Sequence, residues 1–428
     1  MRIYEYPSQD SWPELSKRST FDTDTLKAKI DQIFNLVSSK GDKALVKLTK
    51  QYDSSFVESI TINLPQEPVK LEENLRAAID IAYSNIFKFH EQQKLKSKRI
   101  ETSPGVFCWR EAAAIEDVGL YIPGGSAPLF SSLLMLAIPA KIAGCQNIVV
   151  CTPPQKDGKV ADVILYTAQK LGLQKIYCVG GAQAIAAMTF GTESVPRVAK
   201  IFGPGNQYVT AAKIACMNYG LQIDMPAGPS EVLIIADEKA KPEFVAADLL
   251  SQAEHGADSQ SILLSNSETL INSVQKELKR QLEKLPRKEI AGKALDNSRA
   301  VLLNSLDECI RFSNEYAPEH LIINTYNYRQ LSSEVKNAGS VFLGQYSCES
   351  AGDYASGTNH TLPTNGYARS YSGVSLDSFV KKITFQEISP EGILGLGPSI
   401  EILAEAESLQ AHKAAVTYRL KSLANGID

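Results

Sequence analysis

The chain has 428 residues, of which 44% are hydrophobic and 21% are charged, and its formal net charge is −4. This composition can bury enough apolar surface to offset the conformational entropy of the chain, which excludes a mainly disordered protein. The acidic balance also disfavours a broad nucleic-acid-binding surface, which requires an excess of basic residues.

Residues 1–103 are rich in helix-forming residues. Apolar side chains recur at helical spacing over 26–48 and 71–90, which predicts helices there. A short basic run at 94–99 favours a solvated helix end over a phosphate-binding patch. We expect His90 to lie on an exposed helix surface.

From about residue 117, short β-branched runs alternate with helical segments. The runs predict strands at 148–151, 176–179, 198–202, 231–236, 261–264, 301–303, 321–323 and 341–343. Alternation at this spacing is typical of parallel sheets with helices on both faces. The stretch is long enough for two such units in tandem, although the sequence shows no strong internal repeat.

The segment after residue 344 is rich in Gly, Ser, Thr, Asn and Tyr and predicts a long loop. A loop of this length in a compact enzyme is usually functional. The sequence ILGLGP at 393–398 predicts a flexible linker, and 399–423 a final amphipathic helix. That helix could pack on its own domain or on a partner subunit.

Three glycine turns follow predicted strands: YIPGGS at 121–126, GGAQ at 180–183 and GPGN at 203–206. Backbone N–H groups at a helix start can bind an anionic or polar ligand, but each turn alone could equally be structural. Because the turns belong to consecutive units, they predict one ligand crevice at the carboxyl ends of the strands.

The histidines supply candidates for a metal site. Gln252 and His255 are three residues apart, so on a helix they share one face and could hold a divalent metal. A histidine stabilised at a helix C-terminus by the helix dipole is an equally good interpretation of His255. In the long polar loop, Asp353 could be a carboxylate ligand, and His360 could be a ligand or a packing residue.

Glu319 and His320 stand side by side where a predicted strand begins. They could be two acid/base groups with different pKa values, although such pairs also occur by chance. Glu407 and His412 lie five residues apart near the C-terminus. On one helix that spacing is about 140° of rotation, so the two side chains would flank a ligand.

The seven cysteines are odd in number and include no CxxC pair, so a disulfide framework or an all-cysteine zinc site is not expected. The first residues carry charges and prolines where a signal peptide would be apolar. The longest apolar stretch, 129–143, is too short and too interrupted to span a bilayer. We therefore expect a cytoplasmic protein with no membrane or nucleic-acid partner.

Eight motifs occur in order between about residues 104 and 420. They read YIPGG, GGAQAIAAMTFGT, IFGPGN, DMPAGPSE, LLSQAEHG, NEYAPEH, SAGDYASGTNH and AESLQAHKAAVTYR. Together they resemble the histidinol dehydrogenase family, whose members catalyse the last step of histidine biosynthesis. The first hundred residues are less distinctive.

This resemblance implies a role for each candidate residue. The implied zinc ligands are Gln252, His255, Asp353 and His412. The implied catalytic acid/base residues are Glu319 and His320, and the implied NAD⁺ contacts are Tyr121, Gln183 and Asn206. The implied substrate contacts are Ser230, His320, Glu407 and the zinc ligands.

The resemblance also implies an α/β fold with two tandem, incomplete Rossmann-like domains and small helical segments at both termini. We expect an N-terminal segment at 1–25, a first domain at 26–116 with 230–375, and a second, NAD-side domain at 117–229. The segment 376–428 is expected to reach the partner's active site in a homodimer.

The implied reaction oxidises L-histidinol through L-histidinaldehyde to L-histidine with two NAD⁺. Neutral His320 would accept protons near pH 7, and Glu319 would activate the water that adds to the aldehyde. A family member that oxidises a different amino alcohol is the main alternative. A zinc hydrolase would leave the glycine turns without a role, and a non-catalytic binding protein would leave the Glu–His pair without one.

Overall fold

The structure is a computed structural model that describes residues 1–18, 23–54, 56–57, 59–124 and 128–426, without the side chains of 23–25. Contacts divide the chain into two units, Met1–Gln92 with Ile115–Phe379, and Gln93–Ala114 with Val380–Asp428. Among the described residues, no helix is both long and apolar enough to cross a membrane.

The strands of the described residues are, in chain order, β1 (Arg2–Glu5), β2 (Thr61–Asn63), β3 (Ile100–Ser103), β4 (Val106–Ala114), β5 (Asp117–Tyr121), β6 (Asn147–Thr152), β7 (Lys175–Cys178), β8 (Lys200–Phe202), β9 (Gln222–Ile223), β10 (Glu231–Ala236), β11 (Gln260–Ser265), β12 (Arg299–Leu302), β13 (His320–Asn324), β14 (Ser340–Leu343) and β15 (Val380–Ile388). The helices are α1 (Trp12–Leu15), α2 (Thr23–Lys40), α3 (Asp42–Tyr52), α4 (Glu73–Glu91), α5 (Phe130–Ala143), α6 (Asp162–Lys170), α7 (Gly181–Phe190), α8 (Gln207–Cys216), α9 (Pro242–Ala253), α10 (Glu268–Leu282), α11 (Lys288–Asp296), α12 (Leu306–Tyr316), α13 (Tyr328–Ser332), α14 (Glu349–Tyr354), α15 (Pro390–Ala406) and α16 (Gln410–Ala424).

Within its described residues, the first unit contains two sheets of six strands. Sheet A has the order β1-β12-β11-β10-β13-β14, and all its strands are parallel. Sheet B has the order β2-β7-β6-β5-β8-β9, and its strands are parallel except for β2.

The two sheets share one topology. If β10–β14 and β5–β9 are each numbered first to fifth, both sheets read third, second, first, fourth, fifth. The strand order reverses between the first and fourth strands, as in a Rossmann fold that lacks its sixth strand. The predicted fold class, two incomplete Rossmann-like sheets in tandem, is therefore confirmed.

Sheet A is covered by helices on both faces. The apolar run of β10 is buried throughout, which is typical of a central parallel strand. On one face the apolar sides of α9, α10 and α11 form a single core, and α1 and α12 pack on the other face. In α10, the Ser267 hydroxyl accepts a hydrogen bond from the Leu270 N–H and caps the helix start.

Sheet B is also covered on both faces, and here the domain assignment of 26–116 needs correction. Helices α2, α3, α7 and α8 pack on one face, and α4, α5 and α6 on the other. Phe34 of α2 contacts Phe190 of α7 edge to face, with ring centroids 5.6 Å apart. The helices of 26–91 and strand β2 therefore belong to sheet B and not with 230–375, because their apolar faces meet its core.

The second unit was only partly foreseen. Strand β4 pairs antiparallel with β3 and β15, and none of these strands was predicted. The segment 393–398 is not a linker but lies within α15, whose start is capped by the Ser389 hydroxyl. Gly397 lies close against Val416 and Leu420 of α16, so a glycine here serves helix packing.

The predicted single helix at 399–423 is two helices. Helix α15 ends at Ala406 and α16 begins at Gln410. Between them Ser408 has a positive φ of 61°, which no α-helix can accommodate. In the first unit, Gly41, with a φ of 51°, divides the helical region predicted at 26–48 in the same way.

Candidate functional site

The Glu–His pair lies at the amino edge of sheet A. His320 is the first residue of β13, and its strand partner β10 begins at Glu231. Glu319 and His320 are 6% and 4% exposed. Both side chains are thus held in a protein interior, where charge interactions are stronger than in water.

The backbone of Glu231 contacts both members of the pair. Its N–H donates to Glu319 Oε2 at 2.8 Å, and its carbonyl oxygen lies 3.1 Å from His320 Nδ1. In neutral His320 the proton therefore belongs on Nδ1, and Nε2 carries the free lone pair. Within the described residues Nε2 has no hydrogen-bond partner, although Asp353 Oδ1 lies 3.5 Å away.

The imidazole of His320 is surrounded by carboxylates. Burial alone would lower the pKa of His320, but Glu319, Glu349 and Asp353 outweigh it and raise this pKa to about 10. The same burial raises the pKa of the Glu319 carboxyl to about 8, against the opposing charge of His320. The neighbouring carboxylates thus favour the charged form of the His320 imidazole in the chain by itself.

A group of metal-binding atoms lies beside His320. One ligand atom each from His255, Glu349 and Asp353 lies within 4.8 Å of the other two. Burial by the surrounding protein lowers the pKa of the His255 imidazole, although part of this side chain is exposed to solvent. Burial would raise the pKa of Asp353, but the nearby imidazole of His320 outweighs it and lowers this pKa.

Gln252 joins this group through hydrogen bonds. Its side chain is buried, and one of its two amide orientations satisfies both ends: the nitrogen donates to the Glu349 carboxylate, and the oxygen accepts from the Glu231 N–H at 3.1 Å. Helix α9 ends at Ala253, so His255 lies in the turn beyond it rather than on a shared helix face. The metal candidates are therefore assembled by a helix end and the long polar segment together.

Glu349 is a residue that the sequence reasoning missed. It is 1% exposed at the first position of α14, one helical turn before Asp353. Burial raises the pKa of its carboxyl to about 8. The four-residue spacing between two carboxylates was the available signal, but it requires knowing that the predicted loop contains a helix.

The candidate NAD⁺ contacts lie at the carboxyl edge of sheet B, where its parallel strands end. Tyr121 is the last residue of β5, and its hydroxyl accepts a hydrogen bond from the Gly181 N–H at 3.1 Å. Gln183, in the first turn of α7, is 2% exposed and donates to Asp53 Oδ2 at 3.3 Å. The hydrogen bond thus joins the turn at 180–183 to the end of β5, and the side chains of Tyr121 and Gln183 are both buried.

The turn at 203–206 is held by a buried ion pair. Lys213 Nζ lies 2.5 Å from Asp224 Oδ1, with side chains 2% and 0% exposed. The Gly203 N–H donates to Asp224 Oδ2 and its carbonyl accepts from Lys213 Nζ, both at 2.8 Å. Gly203 has a φ of 128°, and a Cβ there would collide with the Tyr121 carbonyl oxygen, so glycine is required.

Asn206 has a structural role in the same turn. Its Oδ1 accepts hydrogen bonds from the N–H groups of Tyr208 and Val209 and caps α8. The side chain is exposed, so its amide nitrogen remains directed outward from the cap. Of the turn predicted at 121–126, Gly125 and Ser126 lie outside the described residues.

One cavity joins the two edges. Its walls are Gly203, Pro204, Gly205, Lys213, Asp224, Met225, Ala227, Gly228, Ser230, Glu319, His360, Thr361, Leu362 and Thr364. The carboxyl edge of sheet B therefore faces the amino edge of sheet A. The prediction of a crevice at strand carboxyl ends describes only one of its walls.

The other two histidines of the first unit contact the polar segment. His90 is fully buried and its Nε2 lies 3.3 Å from Asn359 Nδ2, so the predicted surface position is wrong. His360 Nδ1 lies 2.8 Å from the Asp353 carbonyl oxygen, and its Nε2 lies 3.1 Å from Ser132 Oγ. His360 therefore holds the backbone that carries Asp353.

Glu407 and His412 belong to the second unit. Glu407 caps the end of α15, His412 lies in the first turn of α16, and both are exposed. Because the break at Ser408 separates them, the estimate of 140° along one helix does not apply.

The comparisons with known proteins agree with one another. The profile of the family described as histidinol dehydrogenase matches residues 16–420. The chain belongs to the histidinol dehydrogenase family. It is 56% identical to the histidinol dehydrogenase of Bacteroides thetaiotaomicron over 427 residues, which cover 99% of this chain and 100% of that protein.

Two further relatives of the histidinol dehydrogenase family extend this result. The chloroplastic enzyme of Arabidopsis thaliana is 50% identical over 413 residues, with 96% of this chain and 89% of that protein covered. The crystal structure of histidinol dehydrogenase from Elizabethkingia anophelis superimposes with a TM-score of 0.95 at 55% identity, over 99% of this chain and 98% of that one. The chain is therefore an oxidoreductase, as the resemblance implied.

Proposed function

We propose that this enzyme catalyses the zinc-dependent, NAD-linked oxidation of L-histidinol through L-histidinaldehyde to L-histidine, in histidine biosynthesis. The observation that carries the proposal is the cavity that brings the buried Glu319 beside the turn of Gly203 and Gly205. An acid/base carboxylate on one wall, with His320 next to it in the chain, and a turn suited to a dinucleotide on the other wall fit hydride transfer from an alcohol.

The donor atoms suit zinc. His255 and Asp353 offer the nitrogen and oxygen ligands that zinc prefers. Gln252 would add its amide oxygen in the reverse amide orientation, in which the oxygen faces Glu349. Burial raises the pKa of the Glu319 and Glu349 carboxyls beside His320, and a divalent cation would favour the charged form of both. When bound, zinc supplies a fixed positive charge that orients the imidazole and amine of the substrate.

The proposed dinucleotide contacts are Tyr121, Gln183 and Asn206. Gly181 and Gly203, both at positive φ, let the backbone approach a ligand more closely than any side chain would allow. The Asn206 amide nitrogen can donate to the ligand while its oxygen caps α8. When bound, NAD⁺ supplies the hydride acceptor for both oxidations.

In the first oxidation, His320 Nε2 accepts the proton of the substrate hydroxyl as hydride leaves the same carbon. The Glu231 carbonyl holds Nδ1–H, so the base atom points away from the backbone. The high pKa of His320 reflects uncompensated carboxylates, and a cation bound at Asp353 favours the neutral ring. The product is the aldehyde, one NADH and one proton.

In the second oxidation, Glu319 accepts a proton from the water that adds to the aldehyde. The resulting hydrate loses a proton to His320 and a hydride to the second NAD⁺. Overall, one alcohol, one water and two NAD⁺ give one carboxylate, two NADH and three protons. No cysteine is assigned a part in this scheme, because none lies in the motifs that carry the candidate residues. Burial also raises the thiol pKa of two of them, Cys145 to about 11 and Cys178 to about 12.

We further propose a homodimer in which Glu407 and His412 complete the partner's site. Both side chains are exposed in their own unit, and so are large apolar residues of α15, namely Leu394, Ile402 and Leu403. Exposed apolar side chains in such a group are typical of an interface. The proposed location is the cytoplasm, which agrees with seven unpaired cysteine thiols.

The primary test measures NADH absorbance after L-histidinol is added, with and without a chelator. We expect two NADH per histidinol, and a loss of rate with the chelator that zinc restores. If NADH forms with another amino alcohol but not with histidinol, that amino alcohol is the substrate instead. Hydrolysis without NADH would support the zinc hydrolase instead.

The shared site has its own test. His412→Asn should lose zinc and activity, and so should Asp353→Asn. Mixed dimers of the two variants should regain up to one intact site per dimer, because each chain supplies what the other lacks. If no mixture regains activity, His412 serves its own chain.

A further inference from the structure

Asp53 is a half-buried carboxylate at the carboxyl edge of sheet B that none of the proposed steps uses. It follows α3 and precedes the segment that enters β2. Because β2 runs antiparallel to β7, the chain enters β2 at the edge where β7 ends. This places Asp53 beside the turn at 180–183.

The contacts of Asp53 leave its charge unbalanced. Its Oδ2 accepts one hydrogen bond from Gln183 Nε2, and a Cβ on Gly180 would lie 3.2 Å from its Oδ1. In the described part of the chain no lysine or arginine pairs with Asp53, and burial raises its pKa to about 6. Burying a carboxylate without a cation costs free energy, which a ligand that donates hydrogen bonds would recover.

The position of Asp53 identifies which end of a dinucleotide it would meet. The nicotinamide must approach Glu319 and His320, and the cavity at Glu319 is bordered by the turn after β8. The turn after β7, beside Asp53, is three strands away in the order β7-β6-β5-β8. Three strand spacings amount to about 14 Å, a distance that an extended dinucleotide spans. Asp53 therefore lies at the adenosine end.

We propose that Asp53 binds the ribose diol of the adenosine half and determines preference for NAD⁺ over NADP⁺. Two adjacent hydroxyls can donate to one carboxylate, whereas a 2′-phosphate would meet it with like charge. Gln183 holds the carboxylate in place from α7. The inference rests on the proposed function, because it assumes that a nicotinamide dinucleotide binds along this edge.

The test is steady-state kinetics of the full-length enzyme with L-histidinol and either dinucleotide. Asp53→Asn should lower kcat/KM for NAD⁺ about tenfold and raise it for NADP⁺ about tenfold, so the ratio changes about 100-fold. Asp53→Ser, which makes room for the phosphate, should shift the ratio in the same direction. The matched control is Asp157→Asn, an exposed aspartate after β6, which should change the ratio less than twofold.

Parallel losses with both dinucleotides would overturn the inference, because a structural carboxylate would not distinguish them. A second measurement uses only the wild-type enzyme, so it does not depend on whether a variant folds. Adenosine 5′-monophosphate should compete with NAD⁺ at least tenfold better than adenosine 2′,5′-bisphosphate, and equal competition would also overturn the inference. If the wild-type enzyme does not reduce NAD⁺ with histidinol, the proposed function fails first and separately.

Discussion

Sheets A and B have the same strand order, yet they contribute opposite edges to the cavity. Sheet B presents its carboxyl edge, where Tyr121 ends the first strand and Gly203 follows the fourth. Sheet A presents its amino edge, where Glu231 and His320 begin the first and fourth strands. The topological switch point locates the site in both sheets, but it does not determine which edge is used.

At each edge, an ion pair holds in place the backbone that carries or contacts the candidate residues. At sheet A, Arg18 Nε lies 2.5 Å from Glu231 Oε1, and the Glu231 backbone contacts Glu319 and His320. At sheet B, the Lys213–Asp224 pair holds both polar groups of Gly203. The proposed function places proton transfer at the sheet A edge and dinucleotide binding at the sheet B edge, and the variants below separate these two roles.

The largest effect should come from His320→Asn. It removes the proton acceptor, so kcat for both oxidations should fall by about 10³-fold or more. The dissociation constant for NAD⁺, measured by fluorescence, should stay within a few-fold of wild type, and bound zinc should be retained. Substantial residual turnover, or a matching loss of NAD⁺ affinity, would contradict the separation of roles.

The next effect concerns stability at the sheet B edge. Lys213→Met leaves the Asp224 carboxylate buried without its cation, which should lower the free energy of unfolding by about 3–5 kcal/mol. Urea unfolding measures this. The control is Lys27→Met, which breaks the exposed Lys27–Asp31 pair and should cost less than about 1 kcal/mol. Equal losses in the two variants would show that the buried pair does not brace the turn.

Glu319→Gln should separate the role of Glu319 from that of His320 at the amino edge of sheet A. Without the carboxylate that accepts a proton from water, oxidation of L-histidinaldehyde should slow by about 10²-fold, and alcohol oxidation should slow much less. Each step is measured by supplying the alcohol or the aldehyde as substrate. If the alcohol step stops while the aldehyde step continues, the two roles are reversed.

The smallest effect should come from Asn206. Asn206→Ala removes the cap of α8 and should lower the free energy of unfolding by about 1 kcal/mol. Asn206→Asp keeps a capping oxygen but loses the amide donor, so it should restore stability while KM for NAD⁺ remains raised a few-fold. Wild-type KM in Asn206→Asp would mean that Asn206 is only a cap.

The sequence predicted local structure well where apolar periodicity was strong. The run EVLIIA became β10, and the alternation from residue 117 became two parallel sheets. The prediction was poorer where a single residue decides the backbone. Ser408 breaks a helix through a positive φ that polar spacing does not reveal, and Gly397 serves helix packing although it read as a linker.

The candidate residues were found mainly through ordered motifs that resemble one family. Their chemistry could be named from residue type, as with Glu319 and His320. Burial and neighbours could not be named, so a fully buried His90 and the carboxylate of Glu349 were missed. The high pKa of His320 was missed for the same reason, since it depends on carboxylates from distant segments.

By itself, the sequence determined the alternation of strands and helices, the family, and the residue types available for proton transfer and metal binding. These follow from local periodicity and from side-chain chemistry, which do not depend on distant contacts. Only the tertiary structure decided that helices of 26–91 cover sheet B, and that opposite edges of two like sheets meet at one cavity. Both depend on packing between segments far apart in the chain, where burial and electrostatic interactions are set.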